Sequence, residues 1–301
     1  MNNRASTLRS ALQRRKALVV PGCHDALSAK IVETAGFEAV QVSGFGLAGS
    51  LLGRPDVGLM DMNDILEATS RITRATQIPV MADIDTGGGN AINAAEITAR
   101  LIENNVAGVN IEDQIFPKRC GHMEGKQVIP AEEMAGKVRA MVDVRARLGS
   151  DIVINARTDA YAVYGLREAI SRANLYLNAG ADMVFIDGIG TRGDIQRALQ
   201  GIPGLLSVNL MDAVTGVKTE LVPIPELAAM GVARVSIPVA SILVMHRALT
   251  EFFRALRASP TGLLAGETDR LASFKAYTEF VGLPQYLALE EEYLPQAKTY
   301  P

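Results

Sequence analysis

A short acidic segment contains the first residues whose types and spacing could do chemistry. Asp83 and Asp85 lie two positions apart at the end of an apolar run, and three consecutive glycines follow within four residues. Side chains two apart on a strand point the same way, so both carboxylates are expected to face one site. Glu112 ends the next apolar run and can reach the same place.

Carboxylates gathered in this way repel one another unless a cation neutralises them. Oxygen ligands favour a hard ion, so the segment predicts bound Mg²⁺, with Mn²⁺ as a substitute. An acidic turn that holds no metal is the alternative interpretation.

A second reactive segment follows Glu112. It contains Lys118, Arg119, Cys120 and His122 within five residues. Neighbouring positive charge lowers the pKa of a thiol, which makes Cys120 a usable acid, base or nucleophile. A surface cysteine without a chemical role is the other interpretation.

Eight short apolar runs, mostly rich in β-branched residues, predict the strands that must position these groups. They cover 17–20, 38–42, 78–82, 107–111, 151–156, 182–186, 205–208 and 233–237. Helical periodicity separates several of them, at 64–75, 91–102, 132–148, 166–178 and 225–230. Strand–helix alternation repeated eight times favours an α/β fold of the parallel (β/α)8 barrel type. A doubly wound open sheet is the alternative, but no G-x-G-x-x-G follows the first strand.

The predicted barrel covers the whole chain, 1–301, as one domain, and about 241–301 form an additional helical extension. Catalytic groups of such barrels lie where the strands end. The residues at those ends are Ser43, Asp83, Asp85, Glu112, Asp113, Arg157, Asp159, Asp187 and Asn209. Most of them are carboxylates, and the others are one Arg, one Ser and one Asn. Such a set, gathered at one end of a barrel, favours a functional site over ordinary polar strand ends.

Composition excludes several other classes of protein. The 301 residues include 30 Lys and Arg against 33 Asp and Glu, a net charge of −3, which argues against nucleic-acid binding. Two cysteines and three histidines give neither a disulfide framework nor a thiolate zinc site. We expect no signal peptide, no membrane span and a cytoplasmic location.

The segment Ile111–Gln114 followed by Lys-Arg-Cys-Gly-His at 118–122 resembles the signature of the isocitrate lyase/phosphoenolpyruvate mutase superfamily. It is most similar to the branch that contains 2-methylisocitrate lyase, 2,3-dimethylmalate lyase and the petal death protein. The resemblance runs from about Leu12 to the C-terminal helices. It implies a (β/α)8 barrel whose terminal helix is swapped with a neighbour, usually in a homotetramer.

The resemblance also implies roles for individual residues. The Mg²⁺ carboxylates would be Asp83, Asp85 and Glu112, with Asp56 in the surrounding shell. Ser43, Gly44 and Phe45 would bind the carboxylate of an α-keto acid, and Arg157 would contact the substrate. Cys120 and His122 would be catalytic with Arg157, and the remaining substrate contacts would be Lys118, Arg119, Gly121, Asp187 and Asn209.

The implied reaction cleaves the C2–C3 bond of a 2-hydroxy di- or tricarboxylate by retro-aldol or retro-Claisen chemistry, giving pyruvate and a second carboxylate. Cys120 would protonate the carbanion, and a metal-shell carboxylate or a tyrosine would be the base. A phosphonate mutase or an oxaloacetate decarboxylase of the same superfamily is the alternative, against which the intact Cys-Gly-His segment argues.

Three positions depart from the family pattern. Asp187 stands where the lyases usually have Glu, and Phe45 replaces a small residue of some members. The segment after Asn209 lacks the usual Asn-x-x-Glu pattern. Because the distal part of the substrate is expected to bind there, a dicarboxylate such as 2,3-dimethylmalate is at least as plausible a substrate as 2-methylisocitrate.

Overall fold

A closed barrel of eight parallel strands, seen in a computed structural model, forms the body of the protein. The structure describes residues 3–119, 125–210, 220–262 and 270–294. The strands are β1 Leu18–Cys23, β2 Val40–Val42, β3 Val80–Asp83, β4 Gly108–Glu112, β5 Val153–Thr158, β6 Met183–Ile186, β7 Leu205–Asn209 and β8 Arg234–Ile237. They pair in chain order, and β8 closes on β1. The predicted (β/α)8 barrel is therefore confirmed.

Helices separate the successive strands along the chain, and further helices precede the first strand and follow the last. They are α1 Arg4–Gln13, α2 Ala26–Thr34, α3 Gly44–Leu47, α4 Met62–Ala75, α5 Ala91–Glu103, α6 Ala131–Arg147, α7 Ala160–Tyr164, α8 Leu166–Asn178, α9 Arg192–Gly201, α10 Ile224–Met230, α11 Ala240–Ala258, α12 Phe274–Phe280 and α13 Leu283–Tyr293. A π-helical turn, Ala48–Leu52, continues α3. Nearly every strand residue is buried because the helices cover one face and the barrel interior the other.

Helix α1 closes the end of the barrel where the strands begin. Its Leu8 and Leu12 are fully buried in an apolar cluster with the first residues of several strands, among them Leu18 of β1 and Leu205 of β7. The opposite end, where the strands terminate, is left for polar side chains.

Two compact units make up the chain, 1–243 and 244–301. The first contains the complete barrel. The second contains the last part of α11 with α12 and α13, and its helices carry large exposed apolar side chains, including Phe274 and Tyr286. None of the helices that the structure describes is both long and apolar enough to cross a membrane.

Candidate active site

A cavity of about 50 Å³ lies at the end of the barrel where the strands terminate. Among the residues that line it are ten of the predicted site residues: Ser43, Gly44, Phe45, Asp56, Asp83, Lys118, Arg119, Arg157, Asp187 and Asn209. Asp85 and Glu112 stand directly behind this lining, in contact with Lys118 and Arg157. Cys120, Gly121 and His122 lie outside the described residues. The parallel strands bring these groups together from six different strand ends.

The loop after β2 brings its backbone against the acidic segment. Ser43 is buried, and its Oγ accepts a hydrogen bond from the Gly46 N–H at 3.1 Å, which fixes the first turn of α3. A Cβ atom added to Gly44 would lie 3.4 Å from Asp83 Oδ2 and also 3.4 Å from Asp85 Oδ1. Both carboxylates therefore converge on the same short piece of backbone, as predicted, but through a turn rather than strand alternation, because β3 ends at Asp83 and Asp85 follows it with a φ of 50°.

The ammonium group of Lys118 lies between two buried carboxylates. Its Nζ is 2.5 Å from Asp56 Oδ1 and 2.8 Å from Asp85 Oδ1. Burial by itself would lower the pKa of Lys118, but Asp85 and Glu112 raise it above its usual value. Burial raises the pKa of Asp85 to about 6 despite the opposing charge of Lys118. Lys118 thus supplies the positive charge that these carboxylates need.

Arg157 is held by three carboxylates at once. Its guanidinium forms two hydrogen bonds with Asp159, at 2.8 and 2.9 Å, and lies 3.1 Å from Glu112 Oε2 and 3.3 Å from Asp187 Oδ2. It also stacks over the Phe185 ring, 5.4 Å from the centroid. Burial would lower the pKa of Arg157, but Asp159 and Asp187 raise it well above its usual value. The result is a permanently charged, rigidly oriented guanidinium at the cavity wall.

Lys126 is a buried member of this network that the sequence analysis does not single out. Its Nζ is 2.8 Å from both Asp159 Oδ1 and Asp187 Oδ2. Lys126 and Arg157 thus share the two carboxylates of Asp159 and Asp187. A lysine in a loop of mixed polarity carries no periodic signal, and only its place a few residues after Lys118 points to this part of the fold.

Asp113, one of the polar residues at the strand ends, has a structural role. It accepts hydrogen bonds from the Thr158 hydroxyl and the Tyr176 hydroxyl, each at 2.7 Å, and from the Asp159 N–H at 2.9 Å. Adjacent strand residues point to opposite faces, so Glu112 faces the barrel interior and Asp113 faces α8. Asp113 joins the ends of β4 and β5 and thereby positions Asp159.

The acidic groups provide the oxygen donors that a hard divalent cation requires. Asp83 and Asp85 converge beside Gly44, and Glu112 Oε1 is buried without a hydrogen-bond partner in the described chain. Burial raises the pKa of Glu112 well above its usual value, although Arg157 opposes this. In the residues covered by the structure, no three such side chains are yet close enough to hold a metal ion. The chemistry of this donor set fits Mg²⁺, and in this structure Lys118 Nζ lies 2.8 Å from one of its oxygens, Asp85 Oδ1.

Comparisons with known proteins agree with this geometry. The chain matches the family described as phosphoenolpyruvate phosphomutase over residues 8–257. It is 38% identical over 291 residues to the 2,3-dimethylmalate lyase of Eubacterium barkeri, covering 97% of this chain and 98% of that protein. Over 257 residues it is 36% identical to the 2-methylisocitrate lyase of Halalkalibacterium halodurans, covering 85% and 83%. A chloroplastic carboxyvinyl-carboxyphosphonate phosphorylmutase of Arabidopsis thaliana is 37% identical over 287 residues, covering 94% and 82%.

Solved structures of similar proteins superpose over almost the whole chain. A crystal structure of 2,3-dimethylmalate lyase gives a TM-score of 0.90 at 31% identity, covering 99% of this chain and 97% of that one. Oxaloacetate acetylhydrolase in complex with 3,3-difluorooxalacetate gives 0.88 at 29% identity, covering 98% of both chains. Phosphonopyruvate hydrolase in complex with oxalate and Mg²⁺ gives 0.84 at 30% identity, covering 98% and 100%. The family match and these relatives confirm the predicted enzyme: the chain belongs to the phosphoenolpyruvate phosphomutase family, within the isocitrate lyase superfamily.

Proposed function

We propose that this enzyme is a Mg²⁺-dependent carbon–carbon lyase that cleaves a 2-hydroxy di- or tricarboxylate to pyruvate and a second carboxylate. The observation that carries the proposal is the convergence of Asp83 and Asp85 on Gly44, at the wall of the cavity that the fixed charge of Arg157 also lines. The names of two relatives, 2,3-dimethylmalate lyase and 2-methylisocitrate lyase, support the same reaction class.

The residues around the cavity have distinct tasks in this reaction. Asp83, Asp85 and Glu112, with Asp56 beside them, would hold Mg²⁺, which supplies Lewis-acid stabilisation of negative charge on oxygen. The backbone N–H groups of Gly44 and Phe45 at the start of α3, together with Ser43, would bind the carboxylate of the keto-acid half.

The bond that breaks joins C2 and C3 of the substrate. A base takes the C2 hydroxyl proton, the carbonyl forms at C2, and the bonding electron pair remains on C3 beside its carboxylate. Arg157 lies in a water-poor site and stabilises the negative charge that develops there. Cys120, assigned from its sequence motif, then delivers a proton to C3, with Lys118 and His122 nearby in the chain.

A panel of acids tests the proposal. Alkylmalates, 2-methylisocitrate, isocitrate, oxaloacetate and phosphonopyruvate are incubated with the enzyme, and 2-keto-acid release is followed. We expect pyruvate from the alkylmalates or from 2-methylisocitrate, loss of this activity in EDTA and its return with Mg²⁺. Turnover of the phosphonate alone, or keto-acid release that EDTA leaves intact, would contradict the proposal.

Lys118 competes with the metal for the same carboxylates, and this gives a testable prediction. Lys118→Met removes the ammonium group that now bridges Asp56 and Asp85. Mg²⁺ and Mn²⁺ are then expected to bind roughly tenfold more tightly, because no charge has to be displaced. Calorimetric titration with each metal measures this directly. Lys137→Met serves as the matched control, since buried Lys137 donates to the Thr86 carbonyl and to no carboxylate among the residues that the structure describes. Equal or weaker metal binding by Lys118→Met would show that the ammonium does not compete.

We also propose that the enzyme is a cytoplasmic homotetramer with exchanged terminal helices. The exposed apolar side chains of the second unit, such as Phe274 (83% exposed) and Tyr286 (64%), support a partner for this unit. Light scattering after size exclusion is expected to give four times the mass of the 32.1 kDa chain. A monomer mass would reject the assembly without affecting the proposed chemistry.

A further inference from the structure

Arg234 is a buried arginine in the barrel interior that no part of the proposed reaction uses. It is the first residue of β8, paired in register with Leu18 of β1 and Ser207 of β7, and it is 1% exposed. Its Nη1 donates a hydrogen bond to Ser207 Oγ at 3.0 Å. An arginine at such depth normally has a carboxylate or several acceptors around it.

One edge of this guanidinium is without a partner. Neither Nε nor Nη2 has a hydrogen-bond acceptor in the described part of the chain, although both atoms are buried. The neighbouring cations differ in this respect, because Arg157 is shared among three carboxylates and Lys118 bridges two. Arg234 therefore retains hydrogen-bonding capacity that those two residues have already used.

Arg234 is one of the residues that form the wall of the active-site cavity. Arg234 lines that cavity together with Ser236, which follows two residues later on the same side of β8. Ser236 Oγ is also buried without a partner in the described residues. Gln41 lines the cavity too, and its side-chain amide can present either its oxygen or its nitrogen. The cavity, about 50 Å³, has room for a few water molecules or one carboxylate group.

We propose that Arg234 and Ser236 form an anion subsite that binds the second carboxylate of the substrate and so selects dicarboxylic over monocarboxylic 2-hydroxy acids. The Nε and Nη2 donors of a guanidinium form a planar fork that matches the two oxygens of a carboxylate. The inference deepens the proposed function and rests on it for the identity of the substrate class.

The electrostatic environment of Arg234 favours binding of an anionic ligand, because the side chain lacks a close counter-charge within the described residues. Burial lowers the pKa of Arg234 to about 10, and Asp83 opposes the shift only partly. The side chain is thus still a cation at neutral pH, although its burial disfavours the charge. An incoming carboxylate supplies the missing counter-charge, whereas a neutral group leaves two buried donors unpaired, which is costly.

Equilibrium binding of two matched acids tests the subsite. 2-Methylmalate and 2-hydroxyisobutyrate share the same 2-hydroxy acid end and differ by one carboxylate. Calorimetry with Mg²⁺, in the Cys120→Ala background to prevent turnover, gives both affinities for the chain with Arg234 and for Arg234→Met and Arg234→Lys. With Arg234 present, we expect 2-methylmalate to bind roughly 100-fold more tightly than 2-hydroxyisobutyrate. Arg234→Met reduces this ratio at least tenfold without changing 2-hydroxyisobutyrate binding, and Arg234→Lys, which keeps the charge but not the fork, falls between them.

Thermal unfolding without ligand separates a binding role from a structural one. Arg172 is a second buried arginine, but its Nη1 lies 3.1 Å from Asp113 Oδ2. Arg172→Met is expected to lower Tm because it removes the cation that pairs with the buried carboxylate of Asp113. Arg234→Met removes a cation with no such partner, so its Tm stays equal to or above that of the parent chain.

Each result decides between the subsite and its alternatives. The proposal is overturned if the ratio of the two affinities is the same in Arg234→Met as in the chain with Arg234. It is also overturned if Arg234→Met has a lower Tm and binds both acids more weakly by the same factor. Failure of the chain with Arg234 to bind either acid overturns it as well. Keto-acid release by the wild-type enzyme is measured separately. Release with an unchanged ratio rejects the subsite alone, whereas a changed ratio without release rejects the proposed reaction and supports the subsite.

Discussion

Arg157→Met is expected to lower kcat/KM by about three orders of magnitude. Removing one preorganised charge from a low-dielectric active site typically costs a factor of about 10² to 10³ in turnover. The loss at this position adds a second effect, because Glu112 would lose the cation that it pairs with, and Asp159 and Asp187 would lose one of the cations that they share. Arg157→Lys keeps the charge but loses the planar fork that forms two hydrogen bonds with Asp159, so a loss of about 10² is expected.

Steady-state kinetics of keto-acid release measure this prediction, and Arg145 offers a matched control. Arg145 pairs with Asp182, just before β6 begins, at the end of the barrel away from the cavity. Arg145→Met should lower the denaturation midpoint while kcat/KM stays within about threefold of wild type. If Arg157→Met loses no more activity than Arg145→Met, then Arg157 has no role in the reaction.

The second large effect is expected at Cys120. Cys120→Ala should reduce turnover by about 10³, because loss of a positioned general acid costs about 10² to 10⁴. Cys120→Ser retains a side chain of similar size, but its hydroxyl is a far weaker acid than the thiol. This variant should therefore be nearly as inactive as Cys120→Ala. Binding of the substrate should change little, so that kcat falls while KM is preserved.

The chain provides its own control for this substitution, since Cys23 is the only other cysteine. Cys23 is fully buried, its Sγ is 3.3 Å from the Gln41 carbonyl oxygen, and burial with the nearby Asp25 raises the pKa of its thiol. Such a thiol is inert. Cys23→Ala should keep its turnover, and iodoacetamide should inactivate the wild-type enzyme and Cys23→Ala alike. Full activity of Cys120→Ala would remove the proposed proton donor.

The barrel could be predicted from the sequence because its strands are buried on both faces. Such strands appear as short apolar runs, and all eight predicted runs coincide with observed strands to within a few residues at each end. Residues at the strand ends were also predictable, because a barrel brings all of these ends together. Ser43, Asp83, Arg157, Asp187 and Asn209 accordingly line one cavity.

Side-chain direction and pairing could not be predicted in the same way. Arg234 and Ser236 alternate with apolar residues along β8, a pattern that usually places polar side chains toward solvent. In a closed barrel the same alternation directs them into the interior, as the burial of both residues and the hydrogen bond from Arg234 to Ser207 show. The pairing of Lys126 with Asp159 and Asp187 depends on contacts across long stretches of chain that no local pattern encodes.

Cleavage of 2,3-dimethylmalate in D₂O tests carbon–carbon lyase chemistry most directly. With Mg²⁺ present, NMR is expected to show pyruvate and propionate in equal amounts, with a single deuterium at C2 of each propionate. This label reports that the C2–C3 bond breaks, that its electron pair stays on the departing carbon, and that an exchangeable acid protonates that carbon. Absence of pyruvate with every alkylmalate and with 2-methylisocitrate, or propionate that carries no deuterium, would contradict the proposed mechanism.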